Sequence, residues 1–238
     1  PICDFFDLFY IGEAETRYRE LFDLYKNCRK ENDYRKDFLI KASRIPGIYV
    51  PSLYEVHYKE DGTIKERVIL EDGAPETIVK ELVTDISNTY YPEKPLVPFL
   101  KVTQDRVVLE IQRGCIRGCR FCQAGQLYRP VRERSLEMLK NCAVAMLKNT
   151  GHEEISLSSL SSSDYTQLAP LLDFLIENCR ERKINISLPS LRIDAFSLDV
   201  MNKVQDVKKS SLTFAPEAGS QRLRNVINKG LTEKVILD

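Results

Sequence analysis

The order of apolar and polar residues predicts a repeating strand–helix pattern from residue 106 onward. Short apolar runs alternate there with longer stretches whose apolar residues recur every three or four positions, which is typical of parallel βα units. The predicted strands are Val107–Ile111, Ile155–Leu157, Ile184–Leu188 and Leu212–Phe214. The predicted helices run from Ser135 to Gly151, Leu168 to Cys179, Ser197 to Val204, and Gly219 to Gly230.

The length of this region limits the architecture that it can form. A βα unit needs ~30 residues, so the region holds about four units, whereas a closed eight-stranded barrel takes about 250 residues. We therefore expect an α/β fold whose main part is an open, partial (β/α) barrel.

The first 104 residues follow a different pattern. The apolar stretch Phe5–Ile11 and the amphipathic stretch Tyr18–Tyr25 predict one strand and one helix of a short α/β remnant. Alternating runs on either side of Asp61-Gly62 predict a β-hairpin, and a short helix is predicted from Pro75 to Ile86. We divide the chain into this remnant (1–45), a hairpin with a proline-containing linker (46–104) and the barrel region (105–238).

Composition excludes several classes of protein. Lysine plus arginine and aspartate plus glutamate each total 35, so the net charge gives no general attraction to nucleic acid or anionic membranes. No apolar run approaches the roughly 20 residues of a membrane helix, and no signal-peptide pattern opens the chain, so we expect a cytoplasmic protein. Because the chain begins at Pro1 and ends within an unfinished helical pattern, we expect it to be a piece of a longer protein.

Three of the seven cysteines form a compact motif directly after the first barrel strand, Cys115-Ile-Arg-Gly-Cys119-Arg-Phe-Cys122. Three thiolates bind three irons of a cubane [4Fe–4S] cluster, which usually has four cysteine ligands, so the fourth iron stays open to another ligand. A structural zinc site needs four protein ligands, and both histidines lie in unrelated segments. The spacing therefore favours an iron–sulfur cluster with an open iron.

Together with Phe121 before the last cysteine, this motif resembles the radical S-adenosylmethionine (radical SAM) superfamily, from about residue 106 to the end. The resemblance implies that Cys115, Cys119 and Cys122 hold a [4Fe–4S] cluster whose open iron binds S-adenosylmethionine (SAM). It implies reductive cleavage of SAM to methionine and a 5′-deoxyadenosyl radical that acts on an unknown substrate. It also implies an electron donor such as flavodoxin or ferredoxin.

The resemblance extends to residues at the ends of the predicted strands. Phe121 matches the aromatic residue that contacts the adenine region. Ser161, Ser162 and Ser163 lie where the superfamily often has a Gly-Gly-Glu motif for the methionyl amine. The turn that contains Glu217, Gly219 and Ser220 resembles the Glu-Ser-Gly-Ser turn after strand four, with alanine in place of the first serine.

The residues themselves leave alternatives at these positions. Arg192 suits a carboxylate or phosphate ligand, which makes it a candidate for binding SAM, but it could equally pair with Asp194. Asp164 could be the N-cap of the next helix, and Glu217 could stabilise a helix start.

The front segment and the arginine content suggest two other functions. Asp7–Glu15 resembles the last strand and turn of the cobalamin-binding domain that precedes many radical SAM cores, which suggests a cobalamin-dependent radical methyltransferase. No Asp-x-His-x-x-Gly cobalamin motif occurs in these residues, so cobalamin is expected only in the full-length protein. Arginines near the cysteines would suit a non-catalytic, RNA-associated metal-binding module, or a solvated face that pairs with nearby glutamates: Arg113, Arg117, Arg120, Arg129, Arg132 and Arg134.

Overall fold

The computed structural model describes residues 2–30, 34–195 and 214–237 of the 238-residue chain. The chain divides into two compact units, residues 1–84 and 85–238. The three-part division of the sequence stays a prediction.

The first unit is built from short strands and two helices. Its elements are β1 (Phe9–Tyr10), α1 (Tyr18–Cys28), α2 (Tyr34–Ala42), β2 (Ile48–Tyr49), β3 (Tyr54–Tyr58) and β4 (Ile64–Ile69). β1 pairs antiparallel with β2, and β3 pairs antiparallel with β4. The core of this unit consists of buried residues from α2, the segment after it and the start of β3: Leu39, Ala42, Ile45, Ile48, Val50, Leu53 and Tyr54.

The helix and the hairpin predicted here are confirmed as α1 and β3–β4. The predicted strand Phe5–Ile11 is shorter, because Phe5 ends a 3₁₀ turn and only Phe9–Tyr10 pairs with β2. The predicted helix from Pro75 to Ile86 is wrong. The main chain of Glu81 pairs with the segment around Gly12, donating to Ile11 O and accepting from Glu13 N, so it makes no helical bonds.

The second unit contains a parallel sheet with helices after its strands. Its elements are β5 (Val107–Glu110), β6 (Gln112–Arg113), α3 (Gln123–Leu127), β7 (Arg132–Glu133), α4 (Leu136–Thr150), β8 (Glu154–Ser158), α5 (Leu168–Cys179), β9 (Asn185–Ser187), α6 (Gln221–Val226) and α7 (Glu233–Leu237). The parallel strands lie in the order β5-β8-β9. A parallel bridge between Leu191 and Phe214 follows the third strand.

The core of the second unit lies between one face of this sheet and the helices. Leu109, Leu157 and Ile186 are buried against α4 and α5 residues such as Leu139 and Leu172. Within the described ranges the sheet is open and no barrel closes. The α/β fold class and the open arrangement are thereby confirmed.

The predicted helix ends in this unit agree closely with the structure. The Ser135 hydroxyl accepts the Met138 N–H at the start of α4, and Gly151 ends the helix with φ +73°. The helix predicted from Gly219 to Gly230 is shorter, since α6 ends at Val226. The predicted helix Ser197–Val204 and residues 212 and 213 of the fourth strand lie outside the described residues.

Candidate functional site

The cysteine loop, residues 114–131, leaves and rejoins the core through a two-residue antiparallel ladder between β6 and β7. Gly114 opens the loop with φ +84°. A Cβ at this position would lie 2.6 Å from the carbonyl oxygen of Tyr128 and 2.8 Å from that of Pro130. Glycine is therefore required here both by the backbone conformation and by the close approach of the returning chain.

The three cysteines of the loop are free thiols with different surroundings. Cys115 is buried, and its Sγ accepts the backbone N–H of Arg117 at 3.4 Å. Cys122 is the N-cap of α3, and its Sγ accepts the N–H of Gly125 at 3.3 Å. Such amide bonds to sulfur orient the sulfur atoms as ligands.

The chemistry of this donor set fits an iron–sulfur cluster, since three reduced thiols lie within eight residues and two already accept amide hydrogens. Within residues 2–30, 34–195 and 214–237, no three Cys, His, Asp or Glu side chains are arranged to hold a metal ion. The three sulfurs of the loop are therefore not in a ligand arrangement in this structure. The assignment of Cys115, Cys119 and Cys122 as ligands stays a prediction.

The segment after α6 supports the outer side of the cysteine loop. The backbone N–H of Arg120 donates to the carbonyl oxygen of Ile227 at 3.0 Å. The Asn228 amide donates to the carbonyl oxygen of Gly118 at 2.9 Å. The region after the fourth predicted strand therefore helps to fix the loop that follows the first.

The three predicted serines lie after β8, and their hydroxyls are engaged within the protein. Ser161 donates to Asp164 Oδ2 at 2.7 Å, and Ser162 donates to the carbonyl oxygens of Leu157 and Pro189. Ser163 Oγ accepts the N–H of Arg192 at 3.0 Å. These hydroxyls tie the loop after β8 to the loop after β9.

Charged residues connect the same loops. Arg117 donates to both carboxylate oxygens of Asp164, with Nε 2.8 Å from Oδ2, and its Nη1 lies 3.6 Å from Asp194 Oδ2. Arg192 donates twice to Asp194, at 2.9 Å in each case, and also to the carbonyl oxygen of Lys229. The ion pair between Arg192 and Asp194, which the sequence offered as an alternative to ligand binding by Arg192, is therefore present. Asp164 is not a helix cap, because α5 starts after Gln167.

These pairings outweigh burial in setting the pKa of each carboxyl group. Burial acts to raise the pKa of Asp164, but hydrogen bonds from Arg117 and Ser161 lower it below its usual value. Burial likewise acts on Asp194, and the Arg192 guanidinium with the charge of Arg117 lowers its pKa. The hydrogen bond to Asp164 raises the pKa of Arg117. Asp164, Asp194 and Arg117 are therefore ionised at neutral pH.

The remaining predicted residues are less tightly connected to the cysteine loop. Glu217 has φ +68°, a strained conformation for a residue with a side chain, and its carboxylate accepts from Lys229 Nζ at 3.2 Å. Ser220 is the N-cap of α6, and the carbonyl oxygen of Gly219 accepts from Arg224. Phe121 is 54% exposed. The structure thus connects the serines, Arg192 and Glu217 by shared partners, and leaves Phe121 at the surface.

Three residues of this region were missed in the sequence as parts of the site: Arg117, Lys229 and Arg224. The sequence predicts Arg117 as one of several arginines on a solvated or nucleic-acid-binding face. The signal that could have identified it is its position between two cysteines, with an aspartate after each of the next two strands. Arg224 carried no local signal, because its partners are mostly main-chain carbonyls. Lys229 carried none either, since its side-chain partner Glu217 lies twelve residues earlier in the chain.

Comparison with known proteins identifies the family. The model of the radical SAM superfamily matches residues 109–238, which include all three cysteines. The chain belongs to the radical SAM superfamily. A second model, for the N-terminal region of radical SAM proteins, matches residues 1–51.

Two curated relatives come from Methanocaldococcus jannaschii. The uncharacterized protein MJ0966 is 30% identical over 236 residues, which cover 99% of this chain and 44% of the relative. MJ0865, provisionally named as a methylthiotransferase, is 25% identical over 139 residues, covering 56% of this chain and 31% of its own length. The radical SAM chain described here thus spans less than half the length of these relatives.

A solved structure shares the fold. The cobalamin-dependent SAM radical enzyme OxsB, with aqua-cobalamin and SAM bound, aligns with a TM-score of 0.55 and 18% identity. The alignment covers 96% of this chain and 30% of OxsB. At this identity the comparison supports the partial radical SAM barrel as the fold.

Within the described residues no helix is long and apolar enough to cross a membrane.

Proposed function

We propose that this chain forms the core of a radical SAM enzyme in which Cys115, Cys119 and Cys122 hold a [4Fe–4S] cluster. The observation that carries the proposal is the position of the three free thiols, in one loop directly after β5 of a parallel sheet. Ligand sites of parallel α/β sheets lie at the carboxyl ends of the strands. The loops after β8 and β9 reach the same place through Arg117.

When bound, the cluster and SAM supply reductive cleavage of the sulfonium to methionine and a 5′-deoxyadenosyl radical, which abstracts hydrogen from a substrate. This chain's residues contribute ligands and orientation. The amides of Arg117 and Gly125 hold two of the thiols. The buried Arg192, held by Asp194 at the end of β9, is also proposed to contact SAM. Ser161, Ser162, Ser163, Glu217, Gly219, Ser220 and Phe121 are proposed to contact SAM. Flavodoxin or ferredoxin is the proposed electron donor.

The test is anaerobic reconstitution with iron and sulfide, followed by EPR of the reduced protein with and without SAM. We expect about four irons per chain and a spectrum that changes when SAM is added, since SAM binds the open iron. The Cys119→Ala variant should lose the signal, while Cys3→Ala should keep it, because Cys3 is an exposed cysteine outside the loop. A SAM-responsive cluster in Cys119→Ala would show that the ligand assignment is wrong.

A cobalamin-dependent reaction is a second candidate for the full-length protein. The fold likeness to OxsB covers 96% of this chain and therefore includes the front segment. After incubation with aquacobalamin and gel filtration, the full-length protein should still carry the visible absorption of bound cobalamin. The 238-residue chain should not. Salt-sensitive RNA binding by a protein that holds no cluster would instead favour the RNA-associated module.

A further inference from the structure

Arg117 connects three separate parts of the second unit through one side chain. It lies in the cysteine loop after β5, its guanidinium binds Asp164 in the 3₁₀ turn after β8, and it reaches Asp194 in the 3₁₀ turn after β9. Two parallel bonds between a guanidinium and a carboxylate fix direction as well as distance. The cysteine loop is therefore held relative to the carboxyl ends of both neighbouring strands.

Both carboxylates that contact the Arg117 guanidinium are also held by other partners. The Asp164 side chain is 7% exposed and accepts from the Ser161 hydroxyl. Asp194 accepts two bonds from Arg192, whose side chain is 8% exposed and is also bonded to a main-chain carbonyl. Because partners other than Arg117 also hold the acceptors, the acceptors contribute little side-chain freedom that is lost on forming the contact.

The main-chain N–H of Arg117 contacts the Cys115 thiol, while its side chain contacts the carboxylates. Its N–H donates to Cys115 Sγ at 3.4 Å, and its carbonyl oxygen accepts from Arg129 at 3.4 Å. Two arginines meet two aspartates in this network, so its formal charges cancel. That balance argues for a structural connection rather than a surface that attracts polyanions.

We propose that Arg117 is a positioning residue that orders the cysteine loop against the ends of β8 and β9 through its bidentate bond to Asp164. Its effect on the cluster rests on the proposed function, whereas its effect on the loop does not. Lysine keeps the charge but lacks the planar fork, so Arg117→Lys isolates the geometric contribution. Arg120→Lys is the matched control, because Arg120 lies in the same loop and donates to the carbonyl oxygen of Val226, an acceptor that an ammonium group also suits.

The first measurement is amide hydrogen exchange of the metal-free protein over residues 114–127. Arg117→Lys should raise exchange there roughly tenfold, as expected when a local restraint is lost, and leave α4 and α5 unchanged. Asp164→Asn should give the same result, and the double variant should add little, since both changes remove one contact. Arg120→Lys should stay close to wild type. Unchanged exchange in Arg117→Lys would overturn the proposal.

The second measurement is anaerobic reconstitution of the same variants. Arg117→Lys should bind less iron than wild type, and the iron that it binds should give an altered EPR line shape, which a general loss of stability would not produce. A wild-type spectrum with full iron in Arg117→Lys would overturn the effect on the cluster. If wild type itself binds no cluster, the proposed function fails, and the exchange result alone decides the role of Arg117 in the loop.

Discussion

The Tyr91 hydroxyl donates to the carbonyl oxygen of Val108 at 2.9 Å, on the edge strand of the parallel sheet. The same hydroxyl accepts the N–H of Glu110 at 2.8 Å. One side chain thus occupies the two hydrogen-bonding positions that a further strand would use, and the guanidinium of Arg134 lies 4.6 Å from its ring centre. An exposed edge strand is a site for aggregation, so Tyr91 protects the sheet at β5.

Replacing Tyr91 by phenylalanine should destabilise the second unit. The change keeps the ring but removes the hydrogen bonds to the Glu110 N–H and the Val108 carbonyl, each of which contributes about 0.5–1.5 kcal/mol. The measurement is urea unfolding followed by circular dichroism, together with light scattering for aggregation. We expect a lower midpoint and earlier aggregation than in wild type.

Tyr90→Phe is the control for this variant, because it removes the hydroxyl of the neighbouring tyrosine, which is 86% exposed. Its midpoint should equal that of wild type. Equal midpoints for Tyr91→Phe and Tyr90→Phe would show that the edge of β5 does not depend on the Tyr91 hydroxyl.

Replacing Gly114 by alanine should prevent the cysteine loop from closing. The new Cβ would meet two backbone oxygens of the returning chain at less than 3.0 Å, and backbone atoms cannot move aside as a flexible side chain does. We expect iron binding on reconstitution to fall to a small fraction of the wild-type value.

Gly151→Ala separates backbone strain from this steric effect. Gly151 also has a positive φ, +73°, but nothing lies within 4 Å of its Cβ position, so the expected cost is roughly 1–2 kcal/mol of left-handed strain. Gly151→Ala should therefore bind iron as wild type does. Full iron loading in Gly114→Ala would contradict the steric argument.

Much of the fold could be predicted from the sequence because its strongest signals are local. The apolar stripes of α4 and α5, the cap at Ser135 and the Asp61-Gly62 turn each depend on neighbours only a few residues apart. Helix α2 was missed because its apolar residues follow no single face. The helix predicted from Pro75 failed because a distant partner, the chain around Gly12, takes its backbone bonds.

The candidate site also contains residues with local sequence signals and residues that depend on distant partners. The cysteines could be recognised from their spacing alone, since all three lie within eight consecutive residues. The role of Arg117 was harder to recognise than the cysteines, because Asp164 lies 47 residues away and the two meet only where β5 pairs in parallel with β8. Arg224 depends on main-chain carbonyls, for which a sequence carries no residue-specific signal.

Replacing Arg224 by lysine should loosen the turn that carries Glu217. The Arg224 side chain is buried, and its guanidinium donates to the carbonyl oxygens of Ala218, Gly219 and Leu231. An ammonium group cannot reach all three, so we expect a loss of roughly 2–4 kcal/mol from buried, unpaired acceptors. Hydrogen exchange over residues 217–231 should rise in Arg224→Lys. The exposed Arg222 is the matched control, and equal exchange in Arg224→Lys and Arg222→Lys would contradict the prediction.

The last prediction concerns stability at alkaline pH. The buried Tyr165 hydroxyl donates to the carbonyl oxygen of Arg134 at 3.0 Å, and burial raises the pKa of Tyr165 from 10.0 to about 12. Because the pKa in the folded state exceeds that of the unfolded chain, the neutral hydroxyl stabilises the fold below pH 10. That contribution is lost as the pH rises from about 10 to about 12, and one pKa unit corresponds to roughly 1.4 kcal/mol.

The free energy of unfolding of Tyr165→Phe should therefore fall less than that of wild type between about pH 10 and about pH 12. The variant should be less stable than wild type at pH 8, by about 1 kcal/mol for the lost hydrogen bond, and the difference should shrink or reverse near pH 12. Urea midpoints measured at intervals between pH 8 and 12 test this, with Tyr90→Phe as the control for an exposed hydroxyl. A constant difference between Tyr165→Phe and wild type across the range would show that Tyr165 does not ionise on unfolding. The other titrating groups are common to both proteins, so their contributions cancel in the comparison.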